Sequence, residues 1–276
     1  MQENVQPIGV FDSGYGGLTI LKSIIEELPQ YDYIYLGDNA RTPYGSRSFD
    51  VVYEYTREAV MKLFSMGCQL VIVACNTASA KALRSIQQND LPQFDPSRRV
   101  LGVIRPSVEK ITSYTKTGHV GVLGTTGTVL SESYLMEIAK IAGDRIVVTQ
   151  EACPMWVPLV ENDETHNPAA DFFVHKNINR LFNNDPKIDT VILGCTHYPL
   201  LSSTIKKFLP GHVSLIEQGP IVAQSLIDYL TRHPEMDEKC SKNGSRRFLT
   251  TESVQNFETR ASTFLGRQLK AENIRL

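Results

Sequence analysis

The sequence predicts an α/β protein of two similar halves, each a small parallel sheet flanked by helices, with the functional site in the cleft between them. Three observations carry this. Short β-branched runs alternate with longer segments of helical period, the alternation that yields parallel sheets covered by helices. Four pairs of runs recur at a nearly constant offset of 112 to 120 residues, starting at Ile8 and Val120, Tyr33 and Ile146, Leu70 and Thr190, and Val100 and Val213. Two of the matching runs close on a Cys ahead of a Thr-containing helix start, Ala74-Cys75-Asn76-Thr77 and Gly194-Cys195-Thr196-His197.

The eight expected strands are Ile8–Phe11, Tyr33–Leu36, Leu70–Ala74, Val100–Ile104, Val120–Leu123, Ile146–Thr149, Thr190–Leu193 and Val213–Ile216. Between them, Leu18, Ile20, Leu21, Ile24, Ile25 and Leu28 fall on one helical face, and Val60, Leu63 and Phe64 mark part of another. Ser253–Leu265 reads as a final amphipathic helix. The Ile8 and Val120 runs each enter a loop of Gly with Ser or Thr, Asp12-Ser13-Gly14-Tyr15-Gly16-Gly17 and Gly124-Thr125-Thr126-Gly127-Thr128.

With 276 residues, 42% hydrophobic and 21% charged, the chain is long enough to bury a large core and has the composition of a folded protein. A net charge of −2 gives no basic surface for nucleic acid. The local cluster Lys239, Lys242, Arg246 and Arg247, interleaved with Ser, Asn and Gly, reads as a solvated loop. Met1–Pro7 carries no targeting signal and no run of eighteen apolar residues occurs, so a cytoplasmic protein without membrane contact is expected. Five cysteines, an odd number in a long chain, suit free thiols rather than a disulfide framework.

Ligands of parallel sheets bind beyond the carboxyl ends of the strands. Cys75 and Cys195 both fall there, just ahead of expected helix starts, where the helix dipole favours thiolate. Thr77 is the expected cap after Cys75, and Pro199 suits the first turn after Cys195. Cys68, Cys153 and Cys240 read as small buried hydrophobes. Two thiols facing each other across a cleft suit inversion of a carbon centre, in which a proton leaves one face and another arrives on the opposite face. Ser13, Asn76, Thr77, Thr125, Thr126 and Thr196, with the N–H groups of the Gly loops, can hold a carboxylate. Asp12 fits either a partner for a substrate ammonium or the Cys75 thiol, or a cap on its own turn. His197 fits proton exchange with Cys195, and Glu161 is a further acid–base candidate.

The motifs Phe11-Asp12-Ser13-Gly14, Gly37-Asp38-Asn39-Ala40-Arg41-Thr42-Pro43-Tyr44-Gly45, Ala74-Cys75-Asn76-Thr77 and Gly194-Cys195-Thr196-His197-Tyr198-Pro199 resemble those of bacterial glutamate racemases. So does the run from Cys153-Pro154 to Val160-Glu161. The resemblance spans the chain. It implies interconversion of L- and D-glutamate for peptidoglycan synthesis, no metal or other cofactor, and a homodimer. It further implies Cys75 and Cys195 as catalytic residues, with Asp12, Glu161 and His197 as auxiliary acid–base groups. Asp12-Ser13, Tyr44-Gly45, Asn76-Thr77 and Thr196-His197 become substrate-binding pairs. The family's domain plan implies a first domain of residues 1–98 plus 210–276 and a second of 99–209. Arg105-Pro106-Ser107 departs from the family pattern, as does Asn162–Asn167.

Other readings lead elsewhere. Gly14-x-Gly16 between strand and helix hints at a dinucleotide site, though Thr19 stands where a third Gly belongs. Cys195 and His197 hint at zinc, yet no C-x-x-C pair accompanies them. A two-lobed amino-acid-binding protein would need no thiol on each wall, and aspartate racemase differs by one methylene of substrate.

Overall fold

The structure, a computed structural model, describes residues 6–276; residues 1–5, most of the Met1–Pro7 stretch, lie outside the described residues. All eight expected runs form strands: β1 Ile8–Asp12, β2 Tyr33–Gly37, β3 Leu70–Val73, β4 Arg99–Gly102, β5 His119–Gly124, β6 Val147–Ala152, β7 Thr190–Gly194 and β8 Ser214–Ile216. Two more follow, β9 Arg246–Thr250 and β10 Ala271–Asn273. They build two wholly parallel sheets, β10-β9-β2-β1-β3-β4 and β6-β5-β7-β8. The order β2-β1-β3-β4 recurs as β6-β5-β7-β8, so the offset in the sequence marks a repeated topology.

The central strands β1, β2, β3 and β7 are buried along their whole length, as strands covered on both faces by helices must be. Helix Gly17–Glu27 lays Leu18, Ile20, Leu21, Ile24 and Ile25 inward, the face expected. Helix Phe49–Ser65 buries Val60, Leu63 and Phe64, with Ser48 as its cap. Ser253 caps the final helix, Val254–Leu265. One continuous apolar cluster runs through both halves, from Ile8 and Leu18 to Trp156 and Val191.

Several expectations are corrected. Arg246 and Arg247 are not loop residues but open β9, whose register against β2 is fixed by backbone pairing and by inward Phe248 and Leu249. Arg247 pairs with Glu272 of β10 at 2.8 Å. The fourth strand ends at Gly102, and Ile104 already begins helix Ile104–Tyr114. β4 pairs with β3 in the first sheet and β8 with β7 in the second.

The halves meet along several seams. Helix Gln218–Arg232 packs on Gly17–Glu27 of the first half and on Ile104–Tyr114 of the second. Gly127 N–H donates to the Gly45 carbonyl at 2.7 Å, and the Thr19 hydroxyl donates to the Thr196 carbonyl at 3.0 Å.

Candidate active site

The segments that follow the carboxyl ends of β1, β2, β3, β5, β6 and β7 border a cavity of about 150 Å³ between the halves. Cys75 and Cys195 both border it, each directly beyond or just after the equivalent strand. Every other expected site residue borders it too, with the single exception of Asp12: Ser13, Tyr44, Gly45, Asn76, Thr77, Thr125, Thr126, Glu161, Thr196 and His197.

On one wall, Cys75 is itself the N-cap of helix Asn76–Lys81. Its sulfur accepts from Ala78 N–H at 3.5 Å and lies 3.4 Å from the Ser13 hydroxyl. Thr77, the expected cap, turns instead to Thr125 at 2.9 Å across the cleft. The helix start does not lower this thiol. Burial, reinforced by the charge of Asp12, pushes Cys75 up to about 12 against the opposing hydrogen bonds from Ser13 and Ala78.

Asp12 lies behind this wall, almost wholly buried. Its Oδ2 accepts from Gly14 N–H at 2.8 Å, so the turn-capping reading holds. Among the described residues its Oδ1 meets no donor within hydrogen-bonding geometry. Burial raises its pKa, and the nearby His197 charge opposes that rise. The carboxylate is thus within electrostatic reach of both walls.

On the other wall, the Cys195 sulfur lies 3.9 Å from His197 Nδ1, and His197 Nε2 lies 3.0 Å from Glu161 Oε1. Burial alone would lower the histidine's pKa. The hydrogen bonds with Cys195 and Glu161 outweigh it and hold the imidazolium up to about 10. Phe264 meets the ring edge-on, and the Arg260 guanidinium donates to the Glu161 carbonyl. Pro199 stands in the first turn as expected, but that turn is a 3-10 segment, Tyr198–Leu201, leading into helix Ser202–Phe208. The two thiols therefore have unlike surroundings: a carboxylate and a hydroxyl at one, a charged imidazole–carboxylate pair at the other.

A family profile described as Asp/Glu/Hydantoin racemase matches residues 8–226. The chain belongs to this family. It is a racemase, an enzyme of the isomerase class. It is 39% identical to the glutamate racemase of Geobacter metallireducens over 263 residues, 95% of this chain and 93% of that one. Among solved structures, glutamate racemase isoform RacE1 of Bacillus anthracis superimposes with a TM-score of 0.89 at 37% identity, covering 99% and 98% of the two chains. Glutamate racemase of Francisella tularensis in complex with D-glutamate gives 0.87 at 30% identity, with 99% and 98% covered.

The glycine run that hints at a dinucleotide site has another use in this racemase. A Cβ on Gly16 would sit 2.2 Å from Thr196 Oγ1 and 2.4 Å from His197 Nδ1, so the bare backbone lets the first loop close against the second cysteine motif. Thr42, Pro43, Ser46, Cys153, Pro154, Val157 and Pro158 also border the cavity. Their signal lay in the Gly37–Gly45 and Cys153–Glu161 runs, whose individual members composition does not distinguish. The Tyr44 hydroxyl donates to Asp38, which Arg41 and Thr251 also hold at 2.6 and 2.9 Å. Among the described residues no group of three or more His, Cys, Asp or Glu is placed to hold a metal ion.

Proposed function

We propose that this racemase interconverts L- and D-glutamate by a two-base mechanism, with Cys75 and Cys195 acting on opposite faces of the substrate α-carbon. The observation that carries the reading is the equivalence of the two thiols: they follow β3 and β7, matching strands of a repeated unit, and border one cavity. The substrate is taken from the relatives, which are glutamate racemases at 30 to 39% identity, one of them in complex with D-glutamate.

One cysteine, as thiolate, takes the α-proton while the other, as thiol, delivers its own to the opposite face. The handedness is inverted and the thiolate is left on the second sulfur. The reverse direction uses the same groups in exchanged roles, and proton return through the flanking residues resets the pair. His197 with Glu161 serves Cys195, and Asp12 with Ser13 serves Cys75. Negative charge developing at the α-carbon spreads onto the substrate carboxylate. Hydroxyls of Thr77, Thr125, Thr126 and Thr196 and the N–H groups of the helix starts stabilise it. The same reading makes the enzyme a cytoplasmic homodimer that works without metal or other cofactor and supplies D-glutamate to peptidoglycan and so to cell shape. No helix among the described residues is long and apolar enough to cross a membrane.

Circular dichroism of L-glutamate and, separately, L-aspartate with the purified enzyme tests the substrate. Signal should decay with glutamate alone; decay with aspartate alone refutes the assignment. In deuterated water, solvent deuterium should enter mainly the inverted product, and Cys75→Ser and Cys195→Ser should each nearly abolish turnover. Either variant racemising at the parental rate would sink the two-thiol mechanism.

A further inference from the structure

Gln218 opens the helix that packs on both halves, and its side chain is buried. Its Oε1 accepts from Asn76 Nδ2 at 2.7 Å. Its Nε2 faces three acceptors in reach of its two hydrogens: the Val103 carbonyl at 3.1 Å, Ser107 Oγ at 2.8 Å and the Tyr134 hydroxyl at 3.0 Å. Tyr134 passes its own proton to Asn76 Oδ1 at 2.9 Å. Asn76, Gln218 and Tyr134 therefore form a closed ring in which each amide has one workable orientation. Asn76 belongs to the first half and immediately follows Cys75, whereas Tyr134 lies on helix Ser133–Ala142 of the second. Asn76 and Tyr134 are almost wholly buried, so neither can turn to water for a lost partner.

We propose that Gln218 is a positioning residue for Cys75. Through Asn76 it fixes the start of the helix that Cys75 caps, and through Tyr134 it ties that start to the half carrying Cys195. The ring thereby sets how far the Cys75 sulfur stands from the substrate carbon. The inference rests on the two-thiol reading above. It acts chiefly on the Cys75 transfer, because Asn76 adjoins Cys75 in the chain, whereas among the described residues the ring makes no hydrogen bond to Cys195, His197 or Glu161.

Gln218→Met keeps the side-chain length and removes every polar contact, and Tyr134→Phe cuts the ring at a second point with smaller disturbance. Each should lower kcat/KM for both enantiomers about tenfold to a hundredfold, the range that loss of a buried hydrogen bond or a displacement on the order of 1 Å produces. The two directions must fall together, since mirror images are equal in energy. The discriminating readout is the kinetic isotope effect with α-deuterated glutamate. It should rise for the enantiomer that gives its proton to Cys75 and shrink for the other, because the Cys75 transfer becomes the slower of the two. The enantiomer facing Cys75 is the one that still loses its α-deuterium to solvent in Cys195→Ser. Ser107→Ala, which leaves the ring intact, should keep the parental isotope effects. Equal losses with unchanged isotope effects in both ring variants would reduce Gln218 to a structural role and overturn the proposal. Parental kinetics in Tyr134→Phe and Gln218→Met would overturn it as well. If Cys75→Ser itself still racemised, the two-thiol reading would fail; if Cys75→Ser is inactive while both ring variants behave as the parent, only the role of Gln218 falls.

Discussion

Replacing Glu161 by Gln keeps a hydrogen-bonding group 3.0 Å from His197 Nε2 but removes its charge. The histidine is held up to about 10 by its bonds with Cys195 and Glu161 against a burial effect of the opposite sign. An opposite charge at this range moves a pKa by about 1 to 3 units. Because the Glu161 side chain keeps 18% of its exposure, water screens part of that, and the lower half of the range applies, about 1 to 2 units. His197 in Glu161→Gln should therefore titrate near 8 to 9, roughly 1.4 kcal/mol per unit. Its raised pKa adds stability that is full below the unfolded value of about 6.5 and is lost as pH rises through about 10. The variant should lose that stability at lower pH. Proton–carbon NMR titration, with His197→Asn used to assign the signal among the chain's six histidines, reads the shift directly. The alkaline limb of the racemisation profile should move in the acid direction with it. A His197 titration that stays put or moves upward would refute the claim that Glu161 holds the imidazolium.

Three further outcomes follow from other contacts. Gly16→Ala places a methyl against Thr196 and His197, and should cost about 1 to 3 kcal/mol in thermal unfolding along with at least a tenfold loss of kcat/KM; parental values in both would show that the loops part freely. Asp32 is buried, which alone would raise its pKa, but bonds from Ser241, Ser245 and Asn243 pull it down to about 2. Its contribution is present above about 3.9 and lost as pH falls through about 2, so Asp32→Asn should be about 1 to 3 kcal/mol less stable at neutral pH and show a flatter acid limb in denaturant titrations. With Cys75 pushed up to about 12, its alkylation by iodoacetamide at neutral pH should be far slower than that of a free thiol, as peptide mapping can measure.

Much of the framework was readable because buried parallel strands are short apolar runs and the repeat doubled each signal. β9 escaped because Arg246 and Arg247 at its start mimic a solvated loop; only its pairing with β2 turns Phe248 and Leu249 inward. The boundary strands β4 and β8 were separable from neighbouring segments only by knowing which sheet they join. The wall residues were legible where a strand end and a Gly or Thr loop coincide. Asp38 beneath Tyr44, and Gln218 beneath Asn76, carried no such sign, since a partner 6 or 142 residues away exists only after folding. The upward pull of burial on the Cys75 thiol was hidden for a related reason: the helix start was visible in the sequence, but the depth of burial was not.

The repeated strand order has a consequence for the chemistry of handedness. An active site that must accept both mirror images gains from a repeated scaffold, because the repeat sets an equivalent proton-carrying group on each side of the cleft, one for each face of the reacting carbon. Yet the residues dressing the two walls have diverged, Asp12 and Ser13 on one and His197 and Glu161 on the other. Equal energies of the antipodes force only the ratio kcat/KM to agree in the two directions. Turnover number and saturation can differ separately, so the divergence gives this duplicated chain a way to favour one antipode in residence time while leaving the equilibrium untouched.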